Sequence, residues 1–249
     1  MNPRFYAPGA AHTDDVVALP PEEAQHLTRV LRLKAGASIR VFNGHGTEFD
    51  AVVERAGKEP VLVRLGQTRE AVREAQVAVT LAQAVLKRDR MDDVVRDAVM
   101  LGVTAIQPVV TARSEITLQS LTRGRRRERW LGIAVSSVKQ CGRAVVPEIL
   151  EPQSFETVVA SLTRLTLPQP CLMFVEPAAD SAAIPLGELD GTAPRETTVL
   201  IGPEGGWTAE EIQRGATVSR QVTLGARTLR ADAVPVVALA ALFTRWGEF

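Results

Sequence analysis

The chain has 249 residues, with 29 Lys and Arg against 29 Asp and Glu, 45% hydrophobic and 23% charged. Such a composition excludes a disordered chain and leaves room for one large or two modest domains. A formal net charge of zero means that a nucleic-acid partner must be met by local patches rather than by a field over the whole protein.

The opening Met1-Asn2-Pro3-Arg4-Phe5-Tyr6 lacks the apolar core of a signal peptide. Residues 1 to about 70 read as a small β-rich unit with one helix. Pro21 to Leu33 carries Ala24, Leu27, Val30 and Leu31 at helical spacing behind prolines. Ile39 and Val41 alternate with Arg40 and Phe42, Asn43-Gly44 turns the chain, and Phe49, Ala51 and Val53 return it with Glu48, Asp50 and Glu54 on the other side. Val61, Val63 and Leu65 supply a further strand. The charged stretch Gln67 to Gln76 reads as a linker, so the expected domains are 1–70 and 74–249.

Beyond the linker, strands and helices alternate as in a parallel α/β sheet. Val77 to Val85 is a buried-type strand. Met91, Val94, Val95, Ala98 and Val99 mark one helix face, Gly102 ends that helix, and Val103 to Val110 is the next strand. Thr122 to Gln140 reads as one helix with Trp130, Ala134 and Val138 inward. Phe155, Val158, Val159 and Leu162 outline another, before the strand Cys171 to Val175. The run Ala233 to Phe243, interrupted at Pro235, has the length of a buried core helix rather than a membrane span. Cys141 and Cys171 form no C-x-x-C pair, and His12, His26 and His45 lack ligand spacing, so neither a metal site nor a membrane segment is expected. Unpaired cysteines and the missing signal segment suit a cytoplasmic protein.

Two segments carry chemistry. In Leu200-Ile201-Gly202-Pro203-Glu204-Gly205-Gly206-Trp207-Thr208, an apolar strand empties into a glycine-rich turn, and Thr208 with Glu211 fits a capping box that starts a helix. The turn lacks the Lys-Ser/Thr ending of a Walker loop and does not match G-x-G-x-x-G; a ligand-free turn fits it as well as a phosphate cradle does. Behind it, Leu224-Gly225-Ala226-Arg227-Thr228-Leu229-Arg230-Ala231-Asp232 leads a second strand into the apolar terminal helix.

Strand plus Ile201-Gly202-Pro203-Glu204-Gly205-Gly206, followed by Leu224-Gly225-x-Arg227-x-Leu229-Arg230, resembles the knotted SPOUT methyltransferases, and among them the RsmE family of 16S ribosomal RNA uridine-N3 methyltransferases. The likeness spans nearly the whole chain: Arg4-Phe5, His26-Leu27-x-Arg29-Val30-Leu31-Arg32-Leu33, Leu101-Gly102-Val103 and Gln140-Cys141-Gly142-Arg143 share it. It implies a PUA-like β-barrel before a SPOUT domain with a C-terminal trefoil knot, S-adenosylmethionine as cofactor, 16S rRNA or the small ribosomal subunit as partner, and a homodimer. By resemblance, Leu200 to Gly206, Leu224, Gly225 and Leu229 hold the cofactor and Glu176 adds a polar contact; Glu204 also suits a role in securing the loop. Arg230 is the candidate for stabilising charge on the uracil oxygens or gripping a phosphate, with a plain salt bridge as its alternative. Asp232 stands open between proton acceptor, substrate-orienting carboxylate and N-cap of the last helix. Arg4, Arg29, Arg32, Arg125, Arg126, Arg127 and Arg143 are the expected RNA contacts, although a charge run such as 125–127 is also what a solvated helix end looks like. The chain departs from the family where Arg230-Ala231-Asp232-Ala233 replaces Arg-Thr-Glu-Thr and Met100 replaces glutamate. Methylation of a ribose 2′-hydroxyl or another base, or RNA binding without turnover, are the competing functions.

Overall fold

The computed structural model describes residues 2–57, 60–164, 170–177, 179 and 182–249. Contacts divide it into two units: Met1–Glu74 with Val135–Val146, and Ala75–Ala134 with Pro147–Phe249.

The first unit contains β1 (Arg4–Tyr6), β2 (Val16–Ala18), β3 (Ser38–Phe42), β4 (Glu48–Arg55) and β5 (Leu62–Arg69), in sheet order β1-β3-β4-β5-β2. The expected hairpin is β3–β4, with Phe42 opposite Glu48 and a connection through 43–47. Asn43 shapes that loop: its Oδ1 accepts from the amides of His45 (2.8 Å) and Thr47 (3.1 Å). Phe5, Leu27, Ile39, Val41, Phe49, Val63 and Leu65 fill the core. The helix expected over Pro21 to Leu33 is shorter. It is α-helical only as α1 (Pro21–Gln25), continues as a π-helical turn over His26–Val30, and ends at Arg32, whose φ of 54° lies in the left-handed region.

Val135–Val146 belongs to this unit, which linear boundaries at 70 and 74 could not anticipate. Its presence explains why the second face of the hairpin is covered at its Glu48 end, while Val52 and Glu54 on that face are exposed. The Gly46 amide donates to the Ala144 carbonyl (3.1 Å) and the Val146 amide to the Gly44 carbonyl (2.9 Å). Glu48, expected on the polar face, is 4% exposed. Its carboxylate takes both Nε and Nη2 of Arg4 (3.2 and 2.9 Å), and the same guanidinium donates to the carbonyls of Val138, Lys139, Gly142 and Arg143. Arg4 therefore closes the end of a helix whose last carbonyls have no intrahelical donors.

The second unit is built on a parallel sheet. Its strands are β6 (Ala78–Ala84), β7 (Ala105–Val110), β8 (Glu148–Ile149), β9 (Gln153–Ser154), β10 (Cys171–Phe174), β11 (Ile184–Pro185), β12 (Glu196–Ile201) and β13 (Arg220–Thr223), in order β11-β13-β10-β12-β6-β7-β8 with β9 also on β7. Every pair is parallel, and β10 is buried along its whole length, as expected where both faces are covered. The helix α2 (Arg90–Leu101) ends at Gly102, whose φ of 113° lets the Gly102 and Val103 amides both return to the Ala98 carbonyl at 3.2 Å. The single helix expected over Thr122 to Gln140 is instead α3 (Leu118–Arg123) and α4 (Arg126–Cys141), separated by Gly124 in an extended conformation. Trp130, Ala134 and Val138 are buried as expected. The remaining helices are α5 (Phe155–Thr163), α6 (Ala209–Gly215) and α7 (Val234–Arg245). Pro235 occupies the first turn of α7, where its missing amide costs nothing, and Ala238, Leu239, Leu242 and Phe243 are fully enclosed.

Removal of a buried partner leaves an uncompensated charge, so Arg4→Ala is expected to destabilise the protein by about 3–5 kcal/mol in denaturant unfolding. Arg4→Lys should recover little, because a point ammonium cannot replace the fork.

Candidate functional site

The loops that leave β6, β7, β10, β12 and β13 emerge at one edge of the parallel sheet, the carboxyl edge at which such sheets bind ligands. β12 ends at Ile201 and the chain turns through Gly202 to Trp207 before α6 begins. Thr208 Oγ1 accepts from the Glu211 amide (3.2 Å) and Glu211 Oε2 from the Thr208 amide (2.9 Å), which completes the expected capping box. Glu211 Oε1 also accepts from the Ala112 amide (2.8 Å), tying this helix start to the loop after β7. Glu204 Oε1 accepts from the Lys87 amide (3.0 Å) and faces Arg90 Nη1 at 3.5 Å, tying the glycine turn to the loop after β6. Arg113 donates to the Gly205 carbonyl (2.6 Å). The turn is thus held from two neighbouring loops.

Its glycines are needed where they stand. A Cβ on Gly202 would lie 3.0 Å from the Trp207 indole, and one on Gly206, whose φ is 68°, would lie 3.0 Å from Glu176 Oε1. Trp207 is anchored beneath by Nε1 donating to the Phe174 carbonyl (2.9 Å).

Beside this turn is a cavity of about 210 Å³ lined by the ends of β10, β12 and β13 and by the start of α7. Of the residues expected at the cofactor, Glu176, Ile201, Gly202, Pro203, Glu204, Gly206, Leu224 and Leu229 line it. Leu200, Gly205 and Gly225 are outside the lining. Leu200 is fully buried among Ala82, Met173 and Trp207, because alternate residues of a strand face opposite ways. Within the Leu224 to Leu229 segment expected at the cofactor, Arg227 and Thr228 line the cavity as well, whereas sequence reasoning missed Arg90, Phe174, Val175, Trp207 and Val234. Of these only Trp207 had a signal, its place at the end of the glycine turn.

Arg230 and Asp232 both belong to this region, and they engage each other. Arg230 Nε and Nη2 donate to the two Asp232 oxygens at 3.0 and 2.7 Å. Burial pushes the Asp232 carboxyl up, but hydrogen bonds from Arg230 and its own amide, with the charges of Arg230 and Arg90, outweigh it and hold the group below the usual carboxylate range. The pair is consequently complete above the ordinary carboxylate pKa and weakens only as pH falls below it. The N-cap of α7 is Ala233 without a side-chain cap, so Asp232 does not serve as the cap. Cys171 is no nucleophile: burial pushes its thiol up to about 12. Among the described residues, no cluster of three or more His, Cys, Asp or Glu is placed to hold a metal, and no helix is long and apolar enough to cross a membrane.

The expected RNA arginines separate by environment. Arg143 is 4% exposed, with Nε on Glu74 at 2.8 Å, and Arg4 is consumed by Glu48 and four carbonyls. Both are structural, since a guanidinium saturated inside the protein has no fork left for a phosphate. Arg29 and Arg32 are exposed, but the π-helical turn and the left-handed residue remove the common helix face that their spacing suggested. Arg125 stands 89% exposed beside Glu128, Arg126 is half-buried, and Arg127 is held by Glu151 (2.7 Å) and the Ile149 carbonyl.

A family model described as an RNA methyltransferase domain matches residues 73–243, and one described as an RNA methyltransferase PUA domain matches residues 19–66. The chain is 29% identical over 226 residues to ribosomal RNA small subunit methyltransferase E of Bacillus subtilis, across 89% of this chain and 87% of that one. Ribosomal RNA small subunit methyltransferase E from Neisseria gonorrhoeae, solved with S-adenosyl methionine, aligns over 100% of both chains with 31% identity and a TM-score of 0.87. A methyltransferase from Legionella pneumophila in complex with the same cofactor aligns over 98% of both, with 30% identity and a TM-score of 0.87. With a PUA domain preceding a parallel sheet whose loops gather at its carboxyl edge, the protein is an RNA methyltransferase. Within that class the chain belongs to the ribosomal RNA small subunit methyltransferase E family, RsmE.

Because the Glu211 carboxylate, in a residue 4% exposed, accepts the amides of Ala112 and Thr208, Glu211→Ala should cost about 1–3 kcal/mol in thermal or denaturant unfolding. It should also weaken ligand binding at the cavity, measured by calorimetry.

Proposed function

We propose that the protein methylates N3 of a uridine in 16S ribosomal RNA of the small subunit, with S-adenosylmethionine held in the cavity between the glycine turn and the Leu224–Arg230 segment. The observation that carries this reading is the cavity itself. Ile201, Pro203, Leu224 and Leu229 give it apolar walls suited to an adenine, two glycines would be obstructed by any side chain, and the Glu176 carboxylate at its edge suits hydroxyl or ammonium donors. The bound cofactor supplies an electrophilic methyl group.

The chain's residues then have three tasks. The pinned glycine turn fixes the position of the bound groups, which is where most of the rate gain in a transfer between two held partners arises. Removal of the weakly acidic N3 proton spreads negative charge onto the uracil oxygens, and Arg230, permanently cationic and 71% exposed beside the cavity, is placed to stabilise it. Asp232 orients Arg230. Its lowered pKa makes it a weak base, so it acts through the guanidinium rather than as the proton acceptor. Arg29, Arg32 and Arg125–Arg127 remain the candidates for RNA phosphates, with Arg127 having to exchange Glu151 for them.

A homodimer fits the outer face of α7. Val236, Val237, Ala240 and Ala241, with Leu186 and Gly187, line an apolar depression there, and Val237 is 41% exposed. Val237→Asp should therefore leave a monomer of 26.9 kDa by sedimentation equilibrium where the parent protein sediments at twice that mass. A parent protein that is already monomeric would refute this assembly.

The activity is tested by incubating purified protein with methyl-labelled cofactor and unmodified small subunits, followed by nucleoside analysis. Label in 3-methyluridine is the expected product, and label in a 2′-O-methyl nucleoside or its absence would replace the reading. In that assay Arg230→Ala should lower turnover about 10²–10³-fold with little change in cofactor affinity. Asp232→Asn should stay within about tenfold, short of the 10²–10⁴-fold loss that removal of a general base brings.

A further inference from the structure

The turn after β6 contains an arginine in a place that suits glycine. The Arg90 amide donates to the Lys87 carbonyl at 3.3 Å, and Asp89 has φ −86° and ψ 0°, so Arg88 and Asp89 are the central residues of a tight turn. Arg88 has φ 54°. A turn with positive φ at its first central residue and negative φ at the second is a type that glycine fills without steric cost. An L-residue there brings its Cβ against its own carbonyl oxygen. Apart from Arg32 at the end of the π-helical turn, Asp14 is the other positive-φ residue among those described that is not glycine, and aspartate tolerates that region. Backbone strain of this sort persists where the surroundings impose it, and it concentrates at functional positions.

The protein itself makes no use of the strained side chain. Arg88 is exposed and has no hydrogen-bond or ion-pair partner among the described residues. The groups around it are already engaged: Lys87 Nζ with Glu115, Asp89 with Arg129, and Arg90 with Glu204. The acids of these three pairs are thereby committed to other cations. The turn is also anchored, because the Lys87 amide donates to Glu204 at 3.0 Å, and both Glu204 and Arg90 line the cavity. A free guanidinium therefore stands on a turn that is fixed to two residues of the cavity wall.

We infer that Arg88 binds a backbone phosphate of the RNA strand whose base enters the cavity, an assignment that rests on the RNA methyltransferase reading above. A guanidinium is charged at every accessible pH, and its fork matches phosphate oxygens, so this contact positions the strand without reading its sequence. Arg88 is a positioning residue rather than one that touches the reacting atoms.

The test uses the full-length protein with Arg88→Gly and Arg88→Lys, and a short fluorescein-labelled single-stranded RNA titrated over a range of salt concentrations. Glycine relieves the strain while adding freedom to the unfolded chain, so Arg88→Gly should keep its Tm or gain up to about 4 °C. Its cofactor affinity, by calorimetry, should be unchanged. Its slope of log affinity against log salt should shrink in magnitude by about 0.7, the value of one phosphate on a single strand. Arg88→Lys should retain the parent slope. An unchanged slope in a folded Arg88→Gly protein overturns the inference, as does a parallel loss of cofactor affinity, which would assign the residue to the cofactor instead. If the parent protein binds and methylates RNA while Arg88→Gly behaves identically, only the role of Arg88 fails; if the parent binds no RNA, the methyltransferase reading fails with it.

Discussion

The site depends on carboxylates of one loop accepting hydrogen bonds from backbone amides of the next. Glu204 takes the Lys87 amide and Glu211 takes those of Ala112 and Thr208, so the loops leaving β6, β7 and β12 are joined by charge-assisted bonds at the edge where the cavity opens. Each bond satisfies an amide that has no ladder partner, and each carboxylate loses its water in return for charge-assisted donors. Glycines then leave the backbone bare on the cavity side. A loop that is flexible by composition thus becomes rigid by attachment, which is what holding two reacting groups in register demands.

Arginine serves three purposes here, and environment alone separates them. Arg4 and Arg143 are buried and saturated by carboxylates and carbonyls, which makes them elements of the fold. Arg90 and Arg230 are tethered by Glu204 and Asp232 at the cavity, where an ion pair sets the direction of the guanidinium while leaving much of it accessible. Arg88, Arg125 and their like stand in solvent, where a phosphate would meet little competition. Equal numbers of cations and anions overall are compatible with an RNA enzyme, because an exposed arginine without an internal partner acts on a phosphate locally, whatever the net charge.

Much of the secondary structure was legible because its signals are local. Alternation gave the β3–β4 hairpin, Gly102 the end of α2, Thr208 and Glu211 the start of α6, and Pro235 the start of α7. The expected 122–140 helix breaks at Gly124 and the expected 21–33 helix passes into a π-helical turn, while Glu48, which alternation assigns to solvent, is buried by Arg4 from a distant part of the chain. The segment 135–146 is the plainest case: its own pattern is that of a helix and a turn, and the bonds that reveal where it belongs, to Arg4 and to Gly44 and Gly46, come from residues about a hundred positions away.

By itself the sequence determined the order of the elements, the glycine turn with its capped helix, the apolar terminal helix and the family, because periodicity, capping residues and motifs are written in adjacent positions. Only the tertiary structure decided which side of each strand faces the cavity, which arginines are free, and that Asp232 is joined to Arg230 rather than capping α7. Those outcomes turn on burial and on distances of a few ångströms between groups far apart in the chain, and a guanidinium reads the same in sequence whether it ends in a carboxylate or in water.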